Sequence, residues 1–145
     1  MENTYTEIFP NNICFDCFNA NVEYCSINNA VFLCRQCAQE HSKLGKNTSF
    51  LVKISTKLDQ FLAVYIQRGG NDRLYRFLEQ FNLNTSPILI KYRTMACEWY
   101  RRLLYSEVNC DEPPEKLNPD DYCKLCSQPS DYLEWNFEGY TFEEN

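Results

Sequence analysis

Two Cys-x-x-Cys pairs, CFDC at residues 14–17 and CRQC at residues 34–37, stand sixteen residues apart. Nothing else in the chain restricts its fold as tightly. Each short loop lets two thiolates reach one ion, and two such knuckles complete a tetrahedral sulfur shell at about 2.3 Å. Cys14, Cys17, Cys34 and Cys37 are therefore read as the ligands of one zinc ion (Zn2+). A closed four-sulfur shell leaves no position for a substrate, so the ion is expected to be structural. It supplies folding energy to an N-terminal half with little core of its own.

The surrounding composition supports metal over disulfides. The opening stretch, MENTYTEIFPNN, has neither the basic n-region nor the apolar run of a secretory leader. An intracellular, non-secreted protein in a thiol-reducing compartment is expected, cytoplasmic or attached to an organelle assembly, with mitochondria a candidate. The longest apolar run, FLAVYI at residues 61–66, falls far short of the ~18 residues that a membrane span needs. A length of 145 residues suits one domain with a tail. The net charge of -6 is unevenly spread. Seven basic residues face two acids in residues 42–76, and eleven acids face two lysines in residues 107–145. A basic centre beside an acidic tail implies self-contact or two different partners.

Short apolar segments predict strands at residues 22–27 (VEYCSI), 30–34 (AVFLC) and 50–54 (FLVKI). Asn28 and Asn29 fit the turn between the first two, since asparagine tolerates positive φ. A helix over residues 37–44 should end at Gly45. Ser55 or Thr56 is the expected cap of the next helix, whose stripe is Leu58, Phe61, Leu62, Tyr65 and Ile66. Gly69 and Gly70 stop it. Asn71 or Asp72 should cap a third helix carrying Leu74, Phe77, Leu78 and Phe81. Ser86-Pro87 opens a last helix with Tyr92, Met95, Ala96, Trp99 and Leu103 on one face. Beyond Glu107 the Pro-rich DEPPEKLNPDD reads as a linker, and YLEWNFEGYTF as an irregular acidic, aromatic tail.

Four-cysteine fingers also occur in DNA-binding proteins, but those need a strongly basic patch to meet phosphates. A chain with pI near 4.8 lacks it, and no nucleic-acid partner is expected. A thiol–disulfide oxidoreductase built on the third pair, YCKLC, would need a helix N-terminus behind the attacking thiol, and the sequence offers none there.

The two knuckles, AVFLC before the second, HSKLG after it, Ser49-Phe50 and the GGN of residues 69–71 occur in one order and spacing. Together they resemble the ArfGAP domain, a zinc-finger module that accelerates GTP hydrolysis by Arf GTPases. The segment IKYRTMACEWYRRLL at residues 90–104 resembles the closing helix of that family. The resemblance spans roughly residues 10–105 and implies an α+β fold: a small three-stranded sheet beside the zinc, surrounded by five or six helices. It also exposes a substitution. The family motif after the last cysteine is HRxLG, and its arginine is the catalytic finger. Here His41, Leu44 and Gly45 match, while Ser42 occupies the place of the arginine. An arginine finger is worth about 10³ to 10⁵ in rate, and serine offers only a short neutral hydrogen bond. Lys43 lies about 100° round a helix from position 42 and lacks the planar fork of arginine. Other departures are Tyr24 where the family has tryptophan, Ala30 where it has glycine, and a missing aromatic near Leu58.

His41 is read as a brace for the knuckle, because four thiolates already fill the shell. Cys25 and Cys97 suit small buried positions. Cys110, Cys123 and Cys126 are candidates for a second metal ion, with Cys97 or a carboxylate as fourth ligand, or for a disulfide. Lys43, Lys46 and Asn71 form a candidate partner face. The chain divides into a lead-in at residues 1–9, the zinc-binding domain at residues 10–106, and the linker and tail at residues 107–145. Two functions follow. The first is a non-catalytic ArfGAP-like subunit of a larger multi-subunit assembly, respiratory or cytoskeletal, with the tail docked on that assembly. The second is an active activator of an Arf-type GTPase in vesicle trafficking.

Overall fold

A computed structural model describes residues 8–126 and 133–142. Three strands, β1 (Tyr24–Ser26), β2 (Val31–Leu33) and β3 (Leu51–Lys53), form an antiparallel sheet in the order β2-β1-β3. The pairing places Cys25 opposite both Phe32 and Val52. Side chains alternate between faces along a strand. Cys25, Phe32 and Val52 therefore share one face and join Ile27 and Leu62 in a small cluster. Tyr24, Leu33, Val31 and Leu51 look the other way into the main core. The result is the expected α+β arrangement.

The turn between β1 and β2 departs from expectation in an instructive way. The positive φ falls on Ala30 (54°), not on either asparagine. Asn28 and Asn29 are buried because their amides hold the chain before β3. Phe50 N–H donates to Asn28 Oδ1 at 2.6 Å, and Asn28 Nδ2 donates to the Lys46 carbonyl. Asn29 Nδ2 donates to Ser26 Oγ and to the Thr48 carbonyl. Ala30 thus carries the left-handed strain.

Among the described residues, five α-helices surround the sheet: α1 (Arg35–His41), α2 (Gln60–Arg68), α3 (Asn71–Glu79), α4 (Ile88–Lys91) and α5 (Met95–Asn109). Helix α1 starts two residues earlier than expected because Cys34 caps it, its Sγ accepting from Cys37 N–H. It tightens into a 3-10 turn at Ser42–Leu44 before Gly45. Asp59, not Ser55 or Thr56, caps α2 by accepting from Leu62 N–H at 2.9 Å. The aspartate side chain reaches the orphan donor directly. Gly70 precedes α3, and Asn71 is its first residue. The last expected helix is two helices. Thr94 interrupts it, in extended conformation, and caps α5 through Cys97 N–H. The break turns the buried face of α5 to Ala96, Tyr100, Arg101 and Leu104, leaving Leu103 half-buried.

The described residues of the C-terminal stretch pack on the chain's own domain. The first free N–H groups of α5, on Met95 and Ala96, donate to the carbonyls of Lys124 and Tyr122. Those donors have no partner within the helix, so the tail completes its end. Further on, Phe137 stacks on Phe50 with centroids 4.1 Å apart. Trp135 meets Tyr65 and Tyr105 edge-on, and Phe142 meets Tyr24. The aromatic residues that gave the tail no helical period are its anchors.

Gly69 stops α2 where its backbone touches the β1–β2 turn, and Gly70 N–H donates to the Ala30 carbonyl at 2.8 Å. A Cβ on Gly69 would overlap the Ala30 Cβ and press on Leu104. Gly69→Ala should therefore lower unfolding stability by about 1–3 kcal/mol, read from urea denaturation midpoints.

Candidate metal centre and the adjoining turn

The sulfur atoms of Cys14, Cys17, Cys34 and Cys37 all lie within 4.8 Å of one another. Cys17 Sγ and Cys34 Sγ are 3.6 Å apart. The edge of a tetrahedron with zinc–sulfur bonds of 2.3 Å is about 3.8 Å, so the four thiols fit a zinc ion. Within the set the Cys14 thiol is lowered to about 5, chiefly by its hydrogen bond with Cys37, while that same bond raises the Cys37 thiol and burial raises Cys17 to about 11. These four cysteines form the zinc site. When bound, the ion supplies a structural cross-link and no open coordination position.

The knuckle reaches into the core through the two residues between its first pair of ligands. Phe15 is 1 % exposed and packs beside Phe9. The Asp16 side chain is 2 % exposed and accepts from three donors. His41 Nε2 donates to Oδ2 at 2.7 Å, and Lys91 Nζ donates to Oδ1 at 2.6 Å. The Tyr92 hydroxyl lies 3.0 Å from both oxygens. Burial pushes the Asp16 carboxyl upward, but His41 and Lys91 outweigh it and hold the group below the usual carboxylate range. An ionised carboxylate only accepts, so Nε2 of His41 carries a proton. His41 Nδ1 meets Ser49 Oγ at 2.7 Å, and Ser49 meets Ser26 at 2.6 Å. His41 thus braces the knuckle, as read from sequence, but through Asp16.

Asp16 and Lys91 were not singled out by the sequence reading. The available signal was Lys91 itself, a lone cation inside the apolar run of residues 88–92 (ILIKY).

Ser42 closes α1 on the protein surface, and its hydroxyl donates back to the Gln39 carbonyl at 2.6 Å. Residues on a 3-10 turn are about 120° apart, so Lys43 leaves in another direction. Its ammonium pairs with Glu40 at 3.1 Å. Lys46 is exposed. Arg93 reaches the same turn, its NH2 lying 3.4 Å from the Lys43 carbonyl. Asn71, expected on a partner face, is instead fully buried. Its carboxamide accepts from Phe32 N–H and donates to the carbonyls of Pro10 and Ile13, stapling the chain before the first knuckle to β2.

The remaining cysteines do not converge. Among the described residues, the four-thiol group is the one cluster with metal-ligand geometry, and all nine cysteines are free. Cys110 is exposed as the left-handed end of α5. Cys123 faces the Phe81 carbonyl, and Cys126 donates to Glu98 at 2.7 Å. The second metal or disulfide expected at Cys110, Cys123 and Cys126 is therefore not assembled. Tyr122 and Lys124 cap the start of α5, and the Cys123 and Cys126 thiols beside them turn to these separate partners. Cys25 and Cys97 are buried, as expected. No described helix is long and apolar enough to cross a membrane.

Residues 3–110 match the ArfGap family, described as "Putative GTPase activating protein for Arf". An uncharacterized protein of Caenorhabditis elegans is 31 % identical over 110 residues, covering 74 % of this chain and 20 % of its own length. The ADP-ribosylation factor GTPase-activating protein GCS1 of Saccharomyces cerevisiae is 30 % identical over 102 residues, covering 68 % of this chain and 28 % of its own length. The chain therefore spans between a fifth and a third of those relatives. A crystal structure titled "putative GTPase activating protein for ADP ribosylation factor", from Cryptosporidium parvum, superposes with a TM-score of 0.60 at 33 % identity. That match covers 68 % of this chain and 80 % of the other.

Asp16→Ala strands the buried Lys91 and should cost roughly 3–5 kcal/mol, measured by urea denaturation of protein that still binds one zinc per chain. Burial pushes the Cys25 and Cys97 thiols upward, so both should resist alkylation in the native zinc-loaded protein. Cys110 and Cys123 should label, and mass spectrometry of the digested protein reads out each site.

Proposed function

The chain belongs to the ArfGap family, and from that premise we propose that it is a non-catalytic member, acting through protein contacts and not through GTP hydrolysis. The observation that carries this reading is Ser42. In the family motif an arginine stands here to meet charge developing on the transferring phosphoryl group. The Ser42 hydroxyl is instead turned inward to Gln39, and the neighbouring Lys43 is paired with Glu40. The scaffold that would present a finger is nevertheless complete. The zinc knuckle, the His41 brace and Gly45 hold a surface turn with Lys43 and Lys46 exposed beside it. That turn is the proposed partner face. An Arf-type GTPase is one protein it would fit, and a larger assembly in which this chain is a subunit is the other.

Arg93 supports a second reading. Its guanidinium lies on the same turn and is the kind of planar cation that serine lacks. A GTPase bound at this face would then meet an arginine from the start of α5 instead of from the end of α1, and the chain would be an active GTPase activator.

Single-turnover hydrolysis with Arf·GTP separates the two. The native chain should accelerate the reaction less than about tenfold, and Ser42→Arg should raise the rate by about a hundredfold or more. Acceleration of about a thousandfold by the native chain, abolished in Arg93→Ala, would establish the second reading instead. Affinity purification of the native protein should recover a complex of fixed stoichiometry. A free monomer would count against the subunit role.

A further inference from the structure

A cleft of about 780 Å³ lies between α3, α5 and residues 116–122, away from the zinc knuckle. Its walls are aromatic. Phe77 and Trp99 run parallel, 5.7 Å apart and 11° from coplanar. Phe81 and Tyr122 stack at 4.4 Å. Tyr100 also lines the cleft. It is 1 % exposed, and among the described residues its hydroxyl is the one buried side-chain polar atom without a hydrogen-bond partner. A buried hydroxyl left unpaired is destabilising, so its presence in a cleft of ligand size calls for a reason.

Charge indicates what the cleft would take. Arg73, Arg76 and Lys116 line it. Arg73 lies over the Tyr100 ring, 5.9 Å from its centre, and is paired with Glu107. Arg76 is paired with Asp72, which is the lining carboxylate. The charged side chains that line the cleft are these three cations and one carboxylate, Asp72; Glu107 pairs with Arg73 from outside the lining, and Asp120 and Asp121 of the bordering segment do not line it. The geometry points to a binding site for a small, flat aromatic anion. Its ring would lie among Phe77, Trp99 and Tyr122, its charge would face the cations, and a polar atom would pair with the Tyr100 hydroxyl. Stacking against aromatic walls and attraction to guanidinium groups favour such a molecule over an aliphatic or cationic one. The site is independent of the finger turn, and nothing in it depends on whether GTP hydrolysis is accelerated.

The two tryptophans make the test local. Trp99 lines the cleft and donates its indole N–H to the Glu115 carbonyl at 2.8 Å, whereas Trp135 sits on the tail strap against Tyr65. Naphthalene-1-sulfonate, added to the full zinc-loaded chain, should shift the Trp99 indole resonance in ¹⁵N-correlated spectra and leave that of Trp135 in place. Naphthalene-1-methanol should bind at least about tenfold more weakly, as expected if the anion's charge supplies a kilocalorie or more. Lys116→Glu should weaken the sulfonate severalfold. Tyr100→Phe should raise the melting temperature, because it deletes the orphan hydroxyl, and should weaken sulfonate binding. A purely structural tyrosine would not move those two readouts in opposite senses. The proposal is overturned if Trp99 is unmoved at millimolar sulfonate, if the neutral analogue binds equally well, or if Tyr100→Phe leaves affinity unchanged.

Discussion

One carboxylate, set between the first two zinc ligands and almost cut off from water, ties the metal knuckle to the rest of the molecule. Asp16 receives His41 from the end of α1, Lys91 from the end of α4 and Tyr92 from the bend that follows. Two cationic or proton-bearing partners and a phenol satisfy its oxygens, which is what allows a charge to remain ionised in the core. The hydrogen-bonded path continues from His41 through Ser49 and Ser26 to Asn29, and Arg101 of α5 donates to Asn29 at 2.8 Å. Knuckle, sheet and closing helix are thereby held in one polar line through the interior.

That line has consequences for the surface. Because His41 is held on both ring nitrogens, the end of α1 has little freedom, and the following 3-10 turn projects Ser42 and Lys43 from a rigid base. Rigid presentation is what an arginine finger requires, since catalysis of phosphoryl transfer is mostly positioning and charge. On the proposed function, Ser42 stands where the family motif has its arginine, on a turn held from the interior. An intact scaffold with a neutral side chain at that position suits binding without turnover, and this is why the proposed function rests on one residue and not on loss of the fold.

Much of this could be read from the chain. The four ligands were legible because CxxC spacing is a local property that no distant contact has to complete. The strands were legible from their apolar runs, and Gly69 as a stop because backbone freedom is intrinsic to the residue. The reading failed where a side chain had a choice of partners. Asn28 and Asn29 fit a turn by propensity, but they serve the loop before β3 instead. Asn71 looked like a surface cap and is a buried staple. Cys110, Cys123 and Cys126 looked like a second ligand set, and the tail that carries two of them is committed to the N-terminus of α5.

The sequence by itself determined the metal, the family, the three strands and the absence of an arginine at position 42. Each depends on residue identity at fixed short spacing. Tertiary structure alone decided that Asp16 is the anchor of the knuckle, that the aromatic tail covers its own domain, and that Tyr100 is left without a partner beside a cationic cleft. Those outcomes join residues 25 to 81 positions apart, for example Asp16 with Lys91 and Asp59 with Tyr140. Pairings at such separations are set by how the packed elements meet, and local pattern carries no record of them.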